Sequence, residues 1–251
     1  MKLLLVNPNM TQAVTDAVLR AAQARAAPGT ELLAVTGDFG PVVIGSRAEG
    51  ALAQHGVLEL VARHAAGCDA VVLGVSLDTA LWACRELLDI PVIGMTEAGL
   101  LCGATVATRI GVLTYGPRMG ALYRELVEAH GFGSRLAGVE ALAVTPQQTF
   151  EDPAAVHAAV VAGARRLVER DGAGAVLLAG AAMASMAELL QPEVPVPLLD
   201  GVGCAVALAQ AMVSLRLPRA CSGSVGATGG REVRGVSPAL AALFAKPARA
   251  P

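Results

Sequence analysis

Aromatic side chains are nearly missing from this chain of 251 residues: they make up 3% of it, although 54% of the residues are hydrophobic. The core must therefore be built from Ala, Val and Leu. With 28 glycines, that composition suits helices packed closely on a parallel sheet. Clustered positive charge is also missing. A formal charge of -2 with scattered arginines, apart from the Arg165-Arg166 pair, excludes the phosphate-binding face that nucleic acid requires. No apolar run reaches the roughly 18 residues of a membrane span. The five cysteines, Cys68, Cys84, Cys102, Cys204 and Cys221, lack CxxC spacing and histidine companions. That excludes the common zinc spacings and gives no disulfide framework, so no metal is expected and the cytoplasm is the default location.

What is present is a chain of short apolar runs, each followed by a helical pattern. KLLLV (2–6), AVVLGV (70–75), RIGVLT (109–114) and AVLLAG (175–180) read as buried parallel strands, with TELLAV (30–35), PVIGM (91–95) and PVPLL (195–199) beside them. The opening MKLLLVNPNM superficially suggests a signal peptide, but Asn7, Pro8 and Asn9 end the run where an apolar region should continue, so a buried first strand is the reading. Amphipathic stretches at 118–130 and 153–170 read as helices between strands. Strands alternating with helices give βαβ units and a doubly wound sheet, or two of them.

An internal echo favours two. AVVLGVS (70–76) returns as AVLLAGA (175–181), about 105 residues later, and each is followed by a proline-containing strand, IPVIGMTEAG and VPVPLLDGVG. The expected fold is α/β: two Rossmann-like lobes with parallel sheets, related by an approximate two-fold axis. Residues 1–98 with 203–251 form the first lobe and 99–202 the second. Val75 and Gly180 would then face each other across a cleft at the carboxyl ends of the strands, where ligands bind in open sheets.

Candidate site residues cluster at those strand ends. Asn9 or Thr11 suits a helix cap after the first strand, where free amides would accept a carbonyl or carboxylate oxygen. In GVSLDT (74–79), Ser76 is a candidate donor to a substrate oxygen, but a serine without an activating partner is not a competent base. Asp78 is read first as a cap for the helix through Leu81–Leu88 and second as a catalytic carboxylate. GAAMAS (180–185) offers backbone amides, while Thr114 and Tyr115 add hydroxyls. Glu97, just past a strand tip, suits a cap or a ligand contact. His55, His64, His130 and His157 read as surface residues and Cys84 as packed. Cys102 and Cys204, at helix starts, read as buried among alanines.

Taken in order, these segments resemble the hydantoin racemase family within the Asp/Glu racemase superfamily. LLLVNPNMT resembles the family's opening, and GPVVIGSRAEGALAQHGVLELV (40–61) its second signature; IPVIGMTEA, RIGVLTY, VPLLDGV and RGVSPALAALF extend the likeness over almost the whole chain. The resemblance implies a cofactor-independent enzyme, a cytoplasmic homo-oligomer, acting on a small molecule with neither nucleic acid nor membrane as partner. In that family two cysteines act from opposite faces of the substrate, one removing the α-proton and one returning it. GVSLDTAL (74–81) and AGAAMA (179–184) match the stretches that carry them, and Val75 and Gly180 stand at the cysteine positions.

Neither residue ionises, so two-cysteine racemisation is in doubt. The related arylmalonate decarboxylases keep one cysteine and stabilise an enediolate with hydroxyls and backbone amides. The expected chemistry is enolate stabilisation on a small carbonyl, cyclic amide or carboxylate compound, in a pocket of Asn9, Val75, Ser76, Thr114, Tyr115, Gly180 and Ala181. Alternatives are a decarboxylase, lyase or rearrangement enzyme of the same superfamily, a site in which Asp78 or Glu97 replaces a thiol, and a non-catalytic binding protein that has kept the cleft.

Overall fold

The computed structural model describes residues 1–226 and 229–247. The chain runs β1 (Lys2–Asn7), α1 (Gln12–Gln23), β2 (Glu31–Thr36), α2 (Arg47–His64), β3 (Ala70–Leu73), α3 (Leu81–Leu87), β4 (Val92–Gly94) and α4 (Met95–Val106). It then repeats the pattern as β5 (Ile110–Tyr115), α5 (Pro117–Ala129), β6 (Leu136–Leu142), α6 (Gln148–Glu151), α7 (Pro153–Glu169), β7 (Ala175–Leu178), α8 (Met186–Leu190), β8 (Leu198–Asp200) and α9 (Gly201–Leu215). The last helix is α10 (Pro238–Ala245).

Two four-stranded parallel sheets result, ordered β2-β1-β3-β4 and β6-β5-β7-β8. The same strand order twice is the two-lobed α/β architecture that the echo between residues 70–76 and 175–181 predicts. All seven strands read from apolar runs are present. The eighth, β6, is an edge strand whose residues are mostly half-buried. LAGVEAL mixes Gly138 and Glu140 into the run, and that composition hides it from a search for apolar strings.

Local chemistry sets the helix starts. Ser46 accepts from the Glu49 amide at 3.3 Å, and Glu49 reaches back to the Ser46 hydroxyl and the Gly45 amide, a capping box that fixes the start of α2. Pro117 and Pro153 open α5 and α7, where a missing N–H costs nothing. Asp200 accepts from the Val202 and Gly203 amides and so caps α9.

Two helices change sides. α4 follows the first sheet but packs on β7 and β8 of the second, while α9 follows the second sheet and packs on β3 and β4 of the first. Their own contact is close: a Cβ at Gly201 would lie 2.7 Å from the Met95 carbonyl oxygen. Only a residue without a side chain lets the two backbones approach so far. A continuous aliphatic core, containing Leu5, Val72, Ala98, Val176, Val202 and Val206, runs through this junction.

Candidate functional site

The tips of β1, β3, β5 and β7 converge on one cavity of about 360 Å3, lined from both lobes. Asn9 and Val75 belong to the first sheet's tips, with Val43, Ile44 and Gly45 from the segment before α2. Thr114 to Met119, Thr145, Pro146 and Gly180 to Ala182 close the second side. Val75 and Gly180 therefore line the same space. The wall is mainly apolar, and its polar members are few.

Each tip is held by a specific network. Asn7, buried at the end of β1, donates from its amide to Asn9 Oδ1, Thr15 Oγ1 and the Thr11 carbonyl. Asn9 Oδ1 in turn accepts from the Thr11 amide at 3.0 Å, so Asn9 shapes the turn before α1. Thr11 occupies the N-cap position without a capping bond, and its hydroxyl donates to the Val42 carbonyl instead. With the Met10 amide donating to Pro41, that bond ties the segment before α2 to the turn after β1, and Val43, Ile44 and Gly45 line the cavity beside it.

The β3 tip is strained. Leu77, Asp78 and Ala80 have φ of 62°, 47° and 65°, a left-handed stretch that non-glycine residues adopt only when their surroundings enforce it. The enforcing group is Asp78. Its carboxylate accepts from the Thr96 and Glu97 amides, both at 2.8 Å, and lies 3.1 Å from His130 Nε2. Asp78 thus caps α4, not the adjacent α3, because β4 lies beside β3 and brings the next helix start to the tip. His130 is not a surface residue: its side chain is 4% exposed and bonded to this carboxylate across the lobes. Glu97 forms a two-pronged ion pair with Arg85, at 3.0 and 2.6 Å, and is not among the cavity-lining residues. The side chain of Ser76 lies outside the described residues.

The β7 tip repeats the device. Ser185, at φ 75°, precedes α8 as Ala80 precedes α3, and its amide donates to Asp200, the cap of α9. Val75 and Gly180, Ala80 and Ser185 are separated by the same interval. The pseudo-repeat thus extends to backbone conformation.

The remaining wall groups divide by chemistry. Thr114 is buried at the cavity edge. Tyr115 contributes its ring, because its hydroxyl is bonded to Thr149 Oγ1 at 2.7 Å and burial pushes it up to about 12. Arg118, exposed in the first turn of α5, is the cation of the wall, and sequence reasoning missed it along with Val43, Ile44 and Thr145. The Gly116-Pro117 pair after β5 was the available signal, marking a helix start at a strand tip. Among the described residues lining the cavity there is no Cys, His, Asp or Glu. Cys84 is buried and pushed up to about 12 by desolvation, as its apolar setting requires.

Comparison with known proteins agrees with this arrangement. The family profile of Asp/Glu/Hydantoin racemase matches residues 3–209. A hydantoin racemase of Pseudomonas sp. (strain NS671) is 33% identical over 216 residues, 86% of this chain and 87% of that protein. Allantoin racemase from Klebsiella pneumoniae superposes with a TM-score of 0.89 at 33% identity, over 96% of this chain and 98% of that one. Allantoin racemase from Pseudomonas fluorescens gives a TM-score of 0.90 at 29% identity, over 94% and 100%. With matched segments that run through both sheets and the cleft between them, the chain belongs to the Asp/Glu/hydantoin racemase family.

Proposed function

We propose that this racemase-like protein acts on a small cyclic amide or related carbonyl compound, stabilising the enolate in the cleft while the α-proton is exchanged with solvent water in place of a two-thiol relay. The observation that carries this reading is the meeting of Val75 and Gly180 in one cavity, at the positions matched to the family's cysteines. An enolate oxygen between the lobes would meet the first-turn amides of α5, which have no partner within the helix, with Arg118 in the same turn. Thr114, Ala181 and Ser76 would complete a polar set in an otherwise apolar wall, and Asn9 would hold the turn opposite. Such donors stabilise charge that develops only in the transition state.

The lobe boundaries at 98/99 and 202/203 are part of this proposal. They are supported by α4 packing on the second sheet and α9 on the first. A cytoplasmic homo-oligomer is proposed with it; among the described residues no helix is long and apolar enough to cross a membrane. Light scattering of the purified chain tests the assembly.

The absence of any Cys, His, Asp or Glu among the described cavity-lining residues favours one second reading, a binding protein without turnover. Incubation with 5-monosubstituted hydantoins, allantoin and arylmalonates in heavy water separates the two. Deuterium uptake at the α-carbon supports the enzyme. Saturable binding with no exchange and no product would establish the binder and overturn the first reading.

A further inference from the structure

The side chains that face the cleft cavity offer hydrogen-bond donors and hardly any free acceptor. Asn9 Oδ1 accepts from the Thr11 amide and from Asn7 Nδ2, which fixes the carboxamide and turns its Nδ2 away from that network. Asn9 is 8% exposed and lines the cavity, and among the described residues its Nδ2 has no acceptor. Thr114, 1% exposed on the second lobe's side, likewise has no side-chain hydrogen bond among the described residues. The other hydroxyls are engaged, Tyr115 with Thr149 and Thr145 with the Gln148 amide. In the first turn of α5, Pro117 has no N–H and the Gly116 amide donates to Leu142. The Arg118 and Met119 amides remain as donors without a partner in the helix.

The charge of the wall is one-sided as well. Arg118 lines the cavity, forms no ion pair among the described residues, and shares the wall with no carboxylate. Glu49 stands outside this wall. Its carboxylate is held below the usual range first by the Gly45 amide and then by the Ser46 hydroxyl, the Arg118 charge being a smaller cause. A neutral ligand filling the apolar cavity would strip water from Arg118 and supply no counter-charge. A carboxylate on the ligand offsets that cost with a charge-assisted hydrogen bond.

We propose, on the basis of the enolate chemistry proposed for this cleft, that its substrate is an acid whose carboxylate, separate from the reacting carbonyl, pairs with the Arg118 guanidinium. Thr114 Oγ1 and Asn9 Nδ2 donate to the same molecule from the two lobes, while the α5 amides stay with the enolate oxygen. Its hydrocarbon part lies on Val14, Val43 and Ile44. A cavity of about 360 Å3 suits such a small organic acid. Acceptor-rich ligands are favoured over those rich in N–H groups, because a donor that loses water without gaining an acceptor is penalised.

Calorimetric titration of the purified full chain at neutral pH tests this with two pairs of probes. One pair is hydantoin-5-acetic acid and its amide; the other is phenylacetate and phenylacetamide. Each acid should bind at least about tenfold tighter than its amide, as one charge-assisted hydrogen bond allows, and added salt should shrink the difference. Arg118→Gln should remove the preference, and Arg118→Lys should keep part of it. Arg118 is exposed, so both variants should fold, and the wild-type comparison decides without them. Equal affinities within the hydantoin pair would overturn the acid and leave the cyclic-amide reading of the cleft standing. Preference for phenylacetate with no binding of either hydantoin would support the acid and overturn the cyclic amide. Binding of none of the four compounds, or a preference that survives Arg118→Gln, would overturn the assignment of the carboxylate to Arg118.

Discussion

Gly180 has φ 177°, extended backbone that any residue adopts, and a Cβ there would meet Met183 Cε and Tyr115 Cε2 at 3.1 Å. The methionine methyl is the far end of a flexible side chain and can yield, so Gly180→Ala should shift stability by no more than about 1 kcal/mol. Gly94 differs, because a Cβ there would enter the carboxylate of Asp78, which is fixed by three partners. Gly94→Ala should cost at least about 2 kcal/mol by overpacking. Urea midpoints of the two variants decide, and similar values would contradict this account of the β3 tip. The thiols give a second residue-scale prediction. Cys102, held at about 7, should be alkylated by iodoacetamide faster as pH rises through that value, since the thiolate is the nucleophile. Neither Cys102 nor Cys204 lines the cleft, so turnover should persist in the alkylated protein. Inactivation that substrate prevents and that tracks one cysteine would show a thiol in the chemistry after all.

At the scale of elements, the β3 and β7 tips are each held through a carboxylate that caps a helix, Asp78 for α4 and Asp200 for α9. Asp78→Ala would leave the Thr96 and Glu97 amides and His130 without their acceptor in a buried site. The expected loss is about 2–4 kcal/mol, against about 1 kcal/mol or less for Glu97→Gln in the partly exposed pair with Arg85. Equal urea midpoints for these two variants would remove Asp78 from the support of the tip. This network also marks where sequence reading stops. The strands were legible because buried parallel strands are apolar runs. Asp78 finds its helix eighteen residues on, and His130 fifty-two, because β4 and α5 fold next to it. A local rule assigns Asp78 to the nearest helix, α3, and leaves His130 on the surface.

At the scale of the whole molecule, the two sheets matter because both send strand tips to one cavity, and proton transfer on opposite faces of a substrate needs an acid and a base on opposite sides. The echo between 70–76 and 175–181 made the two sheets and the place of Val75 and Gly180 at strand tips on one cavity readable, whereas the wall residues Val43, Ile44, Arg118 and Thr145 depend on how loops close over the tips. That placement gives the last prediction. Val75 is extended at φ -139°, and valine to cysteine is a near-isosteric change. Gly180 needs no left-handed backbone, so cysteine there is limited by Met183 and the Tyr115 ring alone. Val75→Cys with Gly180→Cys should therefore fold and should racemise a 5-monosubstituted hydantoin faster than the parent. Each single variant should remain poor, since one face would lack its proton donor. Loss of optical rotation together with deuterium uptake at the α-carbon reads the result. A folded double variant showing neither would mean that the cavity no longer accepts a hydantoin. Fast racemisation by the parent would mean that another group in the cleft already moves the proton, and restored thiols at 75 and 180 would then add little.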